Sequence, residues 1–160
     1  MTTGAPQGGI VALAAAIGLC SAGHAAAADE LPNPRPAGCF VGVARDWNRD
    51  QPDDVVAFAS YADRFAQCAD QDRDELQVRS DLVGWYKSEL GMVVSFLDHG
   101  QAAMAKHHYE QCYSVFDRMA SLSQQFGDGA LARWVTKNSE RLSHLEDAFG
   151  AQPETLSGDQ

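Results

Sequence analysis

The sequence predicts an all-α protein: a compact bundle of four to five antiparallel helices that follows an N-terminal signal peptide and a Pro-rich linker. Three observations predict it. Apolar residues recur at steps of three and four through most of 39–150, and no stretch sustains the alternation that a strand requires. Gly and Asp punctuate that pattern where helices would stop and start. The intervals between periodic runs are short, which sets successive helices side by side in opposite directions.

The first helix is expected over 39–47, with Phe40, Val43, Ala44 and Trp47 on one face. Pro52 suits the first turn of the second, where a missing N–H is no loss, and Asp53 and Asp54 face the positive helix end. That helix runs to about 69, and Val55, Phe58, Ala62, Phe65 and Cys68 share its stripe. The third spans 74–98, with Leu82, Tyr86, Leu90, Val93 and Leu97 inward and Gly100 as its stop. The fourth runs over 101–126, with Ala105, Cys112, Val115, Phe116, Met119, Leu122 and Phe126 inward and Gly127 as its stop. Asp128 caps the fifth, whose stripe is Leu131, Trp134, Val135, Asn138, Leu142, Leu145 and Phe149.

The segments outside the bundle have a different character. Residues 1–28 carry no charged side chain, and 10–19 (IVALAAAIGL) form an apolar core of signal-peptide length, although no positive residue precedes it. The core falls short of the roughly 18 apolar residues that span a bilayer. Ala26 and Ala28 are small enough for a signal-peptidase pocket, so cleavage is expected after Ala28. Export to the periplasm or beyond follows from this reading. Residues 29–38 (DELPNPRPAG) hold three prolines and read as a linker, and 151–160 as a flexible tail.

An exported chain oxidises its cysteines, and Cys39, Cys68 and Cys112 remain after processing, enough for one bridge and one leftover thiol. No Cys-x-x-Cys occurs, which excludes a thioredoxin-like motif, a zinc knuckle and c-type haem attachment. At a rise of about 1.5 Å per residue, Cys39 and Cys112 stand about 13 and about 15 Å above a common floor, and Cys68 about 24 Å. The expected bridge is therefore Cys39–Cys112.

Twelve Lys and Arg against 22 Asp and Glu leave a net charge of −10. Such a chain lacks the basic footprint of a nucleic-acid binder and is repelled by anionic membrane surfaces. It is instead suited to a basic protein partner. Ser80, Gly84, Ser88, Gly91 and Ser95 form a stripe of small residues on the third helix, with Trp85 beside it. Glycine inside a helix loses about 1 kcal/mol against alanine. Two on one face imply a second backbone close by, most simply another helix of the same bundle; the functional reading makes Gly84, Trp85, Ser88 and Gly91 a docking seam for a partner helix or a second copy.

The alternative is a metal-binding protein. Met104, His108 and Cys112 stand at i, i+4 and i+8, with His107 adjacent, and thioether, imidazole and thiolate are ligands that copper(I) favours. Two segments, Asp46-x-Asn48-x-Asp50 and Asp70-x-Asp72-x-Asp74, alternate oxygen ligands as calcium loops do. Both lack Gly at the sixth position and Glu at the twelfth, where the second has Glu75 and Asp81. The same turns would equally serve as helix caps. No Glu-x-x-His pair, His-Glu-x-x-His, Gly-x-Ser-x-Gly or phosphate-binding Gly loop is present. Binding rather than catalysis is the expectation: an accessory subunit, an adaptor or chaperone, or an immunity-type inhibitor in the cell envelope.

Overall fold

The computed structural model describes residues 38–150, and every regular element among them is a helix. The expected signal peptide, all but the last residue of the linker, and the tail lie outside the described residues. Helix α1 spans Cys39–Asp50, α2 Val55–Gln71, α3 Glu75–Asp98, α4 Ala102–Phe126 and α5 Gly129–Ser143; a single turn, α6, covers Glu146–Gly150. Among the described residues no helix is long and apolar enough to cross a membrane. The all-α bundle expected from periodicity is the observed architecture.

Side-chain caps and left-handed residues set the boundaries. Gln51 takes φ 44° and ends α1, donating its N–H to the Trp47 carbonyl at 2.8 Å. Asp54 accepts the Ala57 N–H at 2.7 Å, so α2 starts at Val55 and Pro52 falls in the connection rather than in the helix. Asp74 opens α3 by accepting from Leu76 and Gln77. Gly100 and Gly127, both at φ 70°, close α3 and α4 as expected. Asp128 then accepts from Ala130 and Leu131 at 3.0 Å each and opens α5. The fifth helix stops at Ser143, short of the expected Phe149, and resumes after buried Leu145 as α6.

Helix α3 is the central element. It packs along α2 on one side and α4 on another; α1 leans on α2 and α3, and α5 lies on α4. The expected α3 stripe, Leu82, Tyr86, Leu90, Val93 and Leu97, is buried, as are Ala105, Cys112, Val115, Phe116 and Met119 of α4. Phe126 departs from expectation: at the last position of α4 it is 47% exposed. Two aromatic groups tie the layers. Trp47 meets Phe58, Tyr61 and Phe65 between α1 and α2, and Trp134 of α5 meets Tyr86 and Phe116. Asp128 also reaches Arg79 of α3 at 2.7 Å, and both groups are largely withdrawn from water.

The disulfide corrects the expected pairing. Cys39 is bonded to Cys68, with Cα atoms 5.3 Å apart, and Cys112 is a buried free thiol. Helix α1 continues to Asp50, three residues beyond the expected end. That raises Cys39 to about 17 Å above the α1–α2 turn, close to about 20 Å for Cys68. The lateral order matters as much, since α1 sits against α2, whereas Cys112 is enclosed in α4.

At Gly84 and Gly91 aromatic rings of α2 lie directly against the backbone of α3. A Cβ on Gly84 would stand 2.6 Å from the Phe65 ring, and one on Gly91 the same distance from Phe58. Gly42 of α1 has nothing within 4 Å of that position. Two alanine substitutions of identical chemistry should therefore differ in sign. Gly84→Ala is expected to destabilise by about 1–2 kcal/mol through overpacking against a buried ring. Gly42→Ala is expected to stabilise by up to about 1 kcal/mol through helix propensity. Urea denaturation of both variants checks this, and a stabilised Gly84→Ala would show that Phe65 yields freely.

Candidate functional site

The small-residue stripe of α3 turns inward. Gly84 and Gly91 accept rings of α2, and Ser88 is fully buried, its hydroxyl donating to the Gly84 carbonyl at 3.0 Å. The stripe is thus filled by the chain's own α2, the packing within the bundle that its small residues most simply imply, and Gly84, Ser88 and Gly91 are not open to a partner helix. Trp85, the fourth member, is half-buried. It packs against the α1–α2 core, and the Arg118 guanidinium lies 5.3 Å above its ring.

Trp85 leads to a polar chain that the stripe did not reveal. Its indole N–H donates to Glu89 Oε1 at 2.9 Å, and the other Glu89 oxygen lies 2.8 Å from His108 Nδ1 on α4. Glu89 is buried and His108 mostly so. The His108 ring stacks on Phe96 with centroids 5.4 Å apart, and the His107 ring lies 5.1 Å from it at a steep angle. Met104, one turn earlier on α4, is 46% exposed. Cys112, one turn later, is fully buried, and burial together with the nearby Glu89 charge pushes its thiol pKa far upward. The thiol therefore stays protonated and is withdrawn from the set of potential ligands. The sequence signal for Glu89 was an acid inside the α3 core run, four residues after Trp85.

The two acidic segments come apart in the fold. Asp46, Asn48 and Asp50 lie within α1 rather than in a loop. Asp46 accepts from Arg64, which holds its carboxyl below the ordinary range, and Asp50 accepts the Tyr61 hydroxyl at 2.6 Å. In the second segment Asp70 pairs with Arg118 at 2.9 Å and Asp74 caps α3. Asp72 turns instead toward Asp81. The calcium arrangement expected for Asp70, Asp72 and Asp74 is thereby divided among three separate partners. Among the described residues no three His, Cys, Asp or Glu side chains gather to hold a metal ion.

Asp81 is the least expected group in the molecule. Its side chain is fully buried, and no N–H or hydroxyl donor reaches either of its oxygens; Asp72 Oδ2 likewise lacks one. Burial first, and the adjoining Asp72 carboxyl second, push Asp81 up to about 8. At neutral pH Asp81 is accordingly the protonated member of a carboxyl pair, with its proton directed at Asp72.

The outward face of α2 is the most uniform surface. Val56, Ser60, Asp63, Gln67 and Asp70 follow one another along it, all exposed, with Asp53 in the connection just before; Asp70 is paired with Arg118. Val56 is 79% exposed, the highest value for a large apolar residue among the described residues. On the side toward α1, the disulfide, Gly42 and the Asp46–Arg64 pair line a cleft of about 300 Å³. Comparison of the chain with protein-family models, with curated proteins and with solved structures gave no match.

Proposed function

We propose that the chain is an exported, acidic protein-binding module whose partner presents a basic surface. The observation that carries this reading is the α2 face, where exposed Val56 is bordered by aspartates on a chain of net charge −10. An apolar anchor with a charged rim is how small interfaces divide affinity from steering. Attraction between opposite charges raises the encounter rate at low salt and fades as the Debye length shrinks. The Cys39–Cys68 bridge and the apolar leader read from residues 10–19 both support an oxidising compartment outside the cytoplasm. An accessory subunit, an adaptor or chaperone, and an immunity-type inhibitor of a basic toxin would each use such a face.

The test is charge reversal at exposed positions. Asp53→Lys/Asp63→Lys places two bases there and should keep the circular dichroism of the parent, with melting lowered slightly because Asp53 stands near the positive end of α2. Immobilised wild-type protein is expected to retain a basic protein from envelope extract at low salt and to release it near 0.5 M salt. The double variant is expected to retain at least about tenfold less, the equivalent of about 1.4 kcal/mol. Equal retention by both proteins at every salt concentration overturns the reading.

A further inference from the structure

We propose that Met104, His107 and His108, in the first two turns of α4, form a copper(I) site, with Glu89 of α3 as the residue that orients His108. The inference is independent of the α2 face, so the two stand or fall separately.

The arrangement begins with helix geometry. Residues three and four apart share a face, so Met104 stands beside both His107 and His108. Sequence spacing alone leaves open whether a histidine on such a stripe is directed at a ligand or into the core. The structure adds a contact that orients His108. A carboxylate only accepts hydrogen bonds, and Glu89 Oε2 lies 2.8 Å from Nδ1, so Nδ1 carries a proton. In the neutral ring Nε2 then carries the lone pair. A carboxylate behind the non-ligating nitrogen is the usual outer support of a metal-bound imidazole; it fixes both tautomer and ring plane. Glu89 is itself fixed, since its other oxygen accepts the Trp85 indole N–H at 2.9 Å. Phe96 stacked on the ring removes the remaining rotation.

The spacing of the two imidazoles suits one small ion. A ring nitrogen bonds such a metal at about 2.0 Å, which puts the metal about 3.2 Å from the ring centre. Two imidazoles at a tetrahedral angle then need centroids about 5 Å apart, and His107 and His108 stand at 5.1 Å. A thioether is a soft ligand, and of the common ions the one that takes imidazole and thioether together is copper(I). Met104, half out in solvent on the first turn of α4, supplies it. The site is reached from the surface, and the net charge of −10 favours a cation near it.

The full chain with its disulfide intact should be titrated into a coloured copper(I)–bicinchoninate complex. One equivalent of copper is expected to leave the indicator. His107→Ala, His108→Ala and Met104→Ala should each weaken retention at least about tenfold, and Glu89→Gln by about 10–100-fold, the range seen when the outer support of a metal ligand is removed. Cys112→Ser should retain copper as the parent does. Nitrogen NMR should find His108 as the Nδ1–H tautomer in the parent and shifted in Glu89→Leu, and copper(I) should move the His108 Nε2 signal in the parent, a change that a merely structural Glu89–His108 contact would not produce. Met104 is exposed, so its alanine variant folds and keeps the test decisive. An indicator colour unchanged by excess protein overturns the proposal. Loss of copper in Cys112→Ser with retention in Met104→Ala, or zinc(II) bound in preference to copper(I), overturns it equally.

Discussion

Asp81→Asn is expected to raise stability at pH 8 by roughly 5 kcal/mol while leaving it nearly unchanged at pH 4. In the folded chain Asp81 keeps its proton up to about pH 8, against 3.8 for an ordinary aspartate. Each unit of that displacement corresponds to about 1.36 kcal/mol. The folded state therefore binds one proton more than the unfolded state between about pH 4 and pH 8, and stability falls as pH rises through that window. Below it both states are protonated and nothing is lost; above it the loss is complete. Asparagine has no proton to release, and its side-chain N–H can donate to the Asp72 oxygen that no N–H reaches in the parent. Urea denaturation of both proteins from pH 4 to pH 9 provides the comparison. Curves that run parallel across the range would show that Asp81 ionises in the fold as it does in the open chain.

Replacing both bridge cysteines, as Cys39→Ala/Cys68→Ala, should lower stability by about 3–4 kcal/mol. The bridge closes a loop of sequence separation 29, and the chain-entropy relation gives about 3.6 kcal/mol for a loop of that size. The loss should be uneven. Helix α1 leans on α2 through Phe40, Trp47 and their ring neighbours but has little hold elsewhere. Hydrogen exchange in α1 is thus expected to quicken markedly, while the amides of α3 keep their rank as the slowest in the chain. Exchange that quickens equally in α1 and α3 would mean that the bridge acts on the whole bundle instead.

The helices and several of their ends were legible from local chemistry, whereas the end of α1, the start of α2 and the end of α5 were not. Gly100 and Gly127 stop helices because their left-handed backbone suits glycine, and Asp74 and Asp128 start them because a carboxylate satisfies open N–H groups. These signals act over four or five residues, which is the range a single sequence displays. The Met104, His107 and His108 stripe was legible for the same reason. Glu89, Asp81 and the bridge partner of Cys39 were not. A polar residue next to an apolar stripe reads as a solvated edge, yet α3 is enclosed by α2, α4, α1 and the Trp134 side of α5, so it has almost no solvated edge. Which side chains are buried there depends on the lateral order of the helices, and that order is carried by shape, as in Phe65 against Gly84, rather than by period. The same lateral order set Cys39 beside Cys68.

Packing chiefly between neighbours in the sequence, α2 with α3, α3 with α4, α4 with α5, also fixes an order of events in time. Bundles of such local topology fold in roughly microseconds to milliseconds, whereas disulfide formation takes roughly seconds to hours. The inner helices are therefore assembled while Cys39, Cys68 and Cys112 are still reduced. By the time an oxidant acts, Cys112 is already enclosed with no exposed surface, and the pair at the α1–α2 edge is the one still within reach. Among the described residues the chain selects its bridge by rate, and the buried thiol of Cys112 carries no hazard of mispairing so long as the bundle closes first.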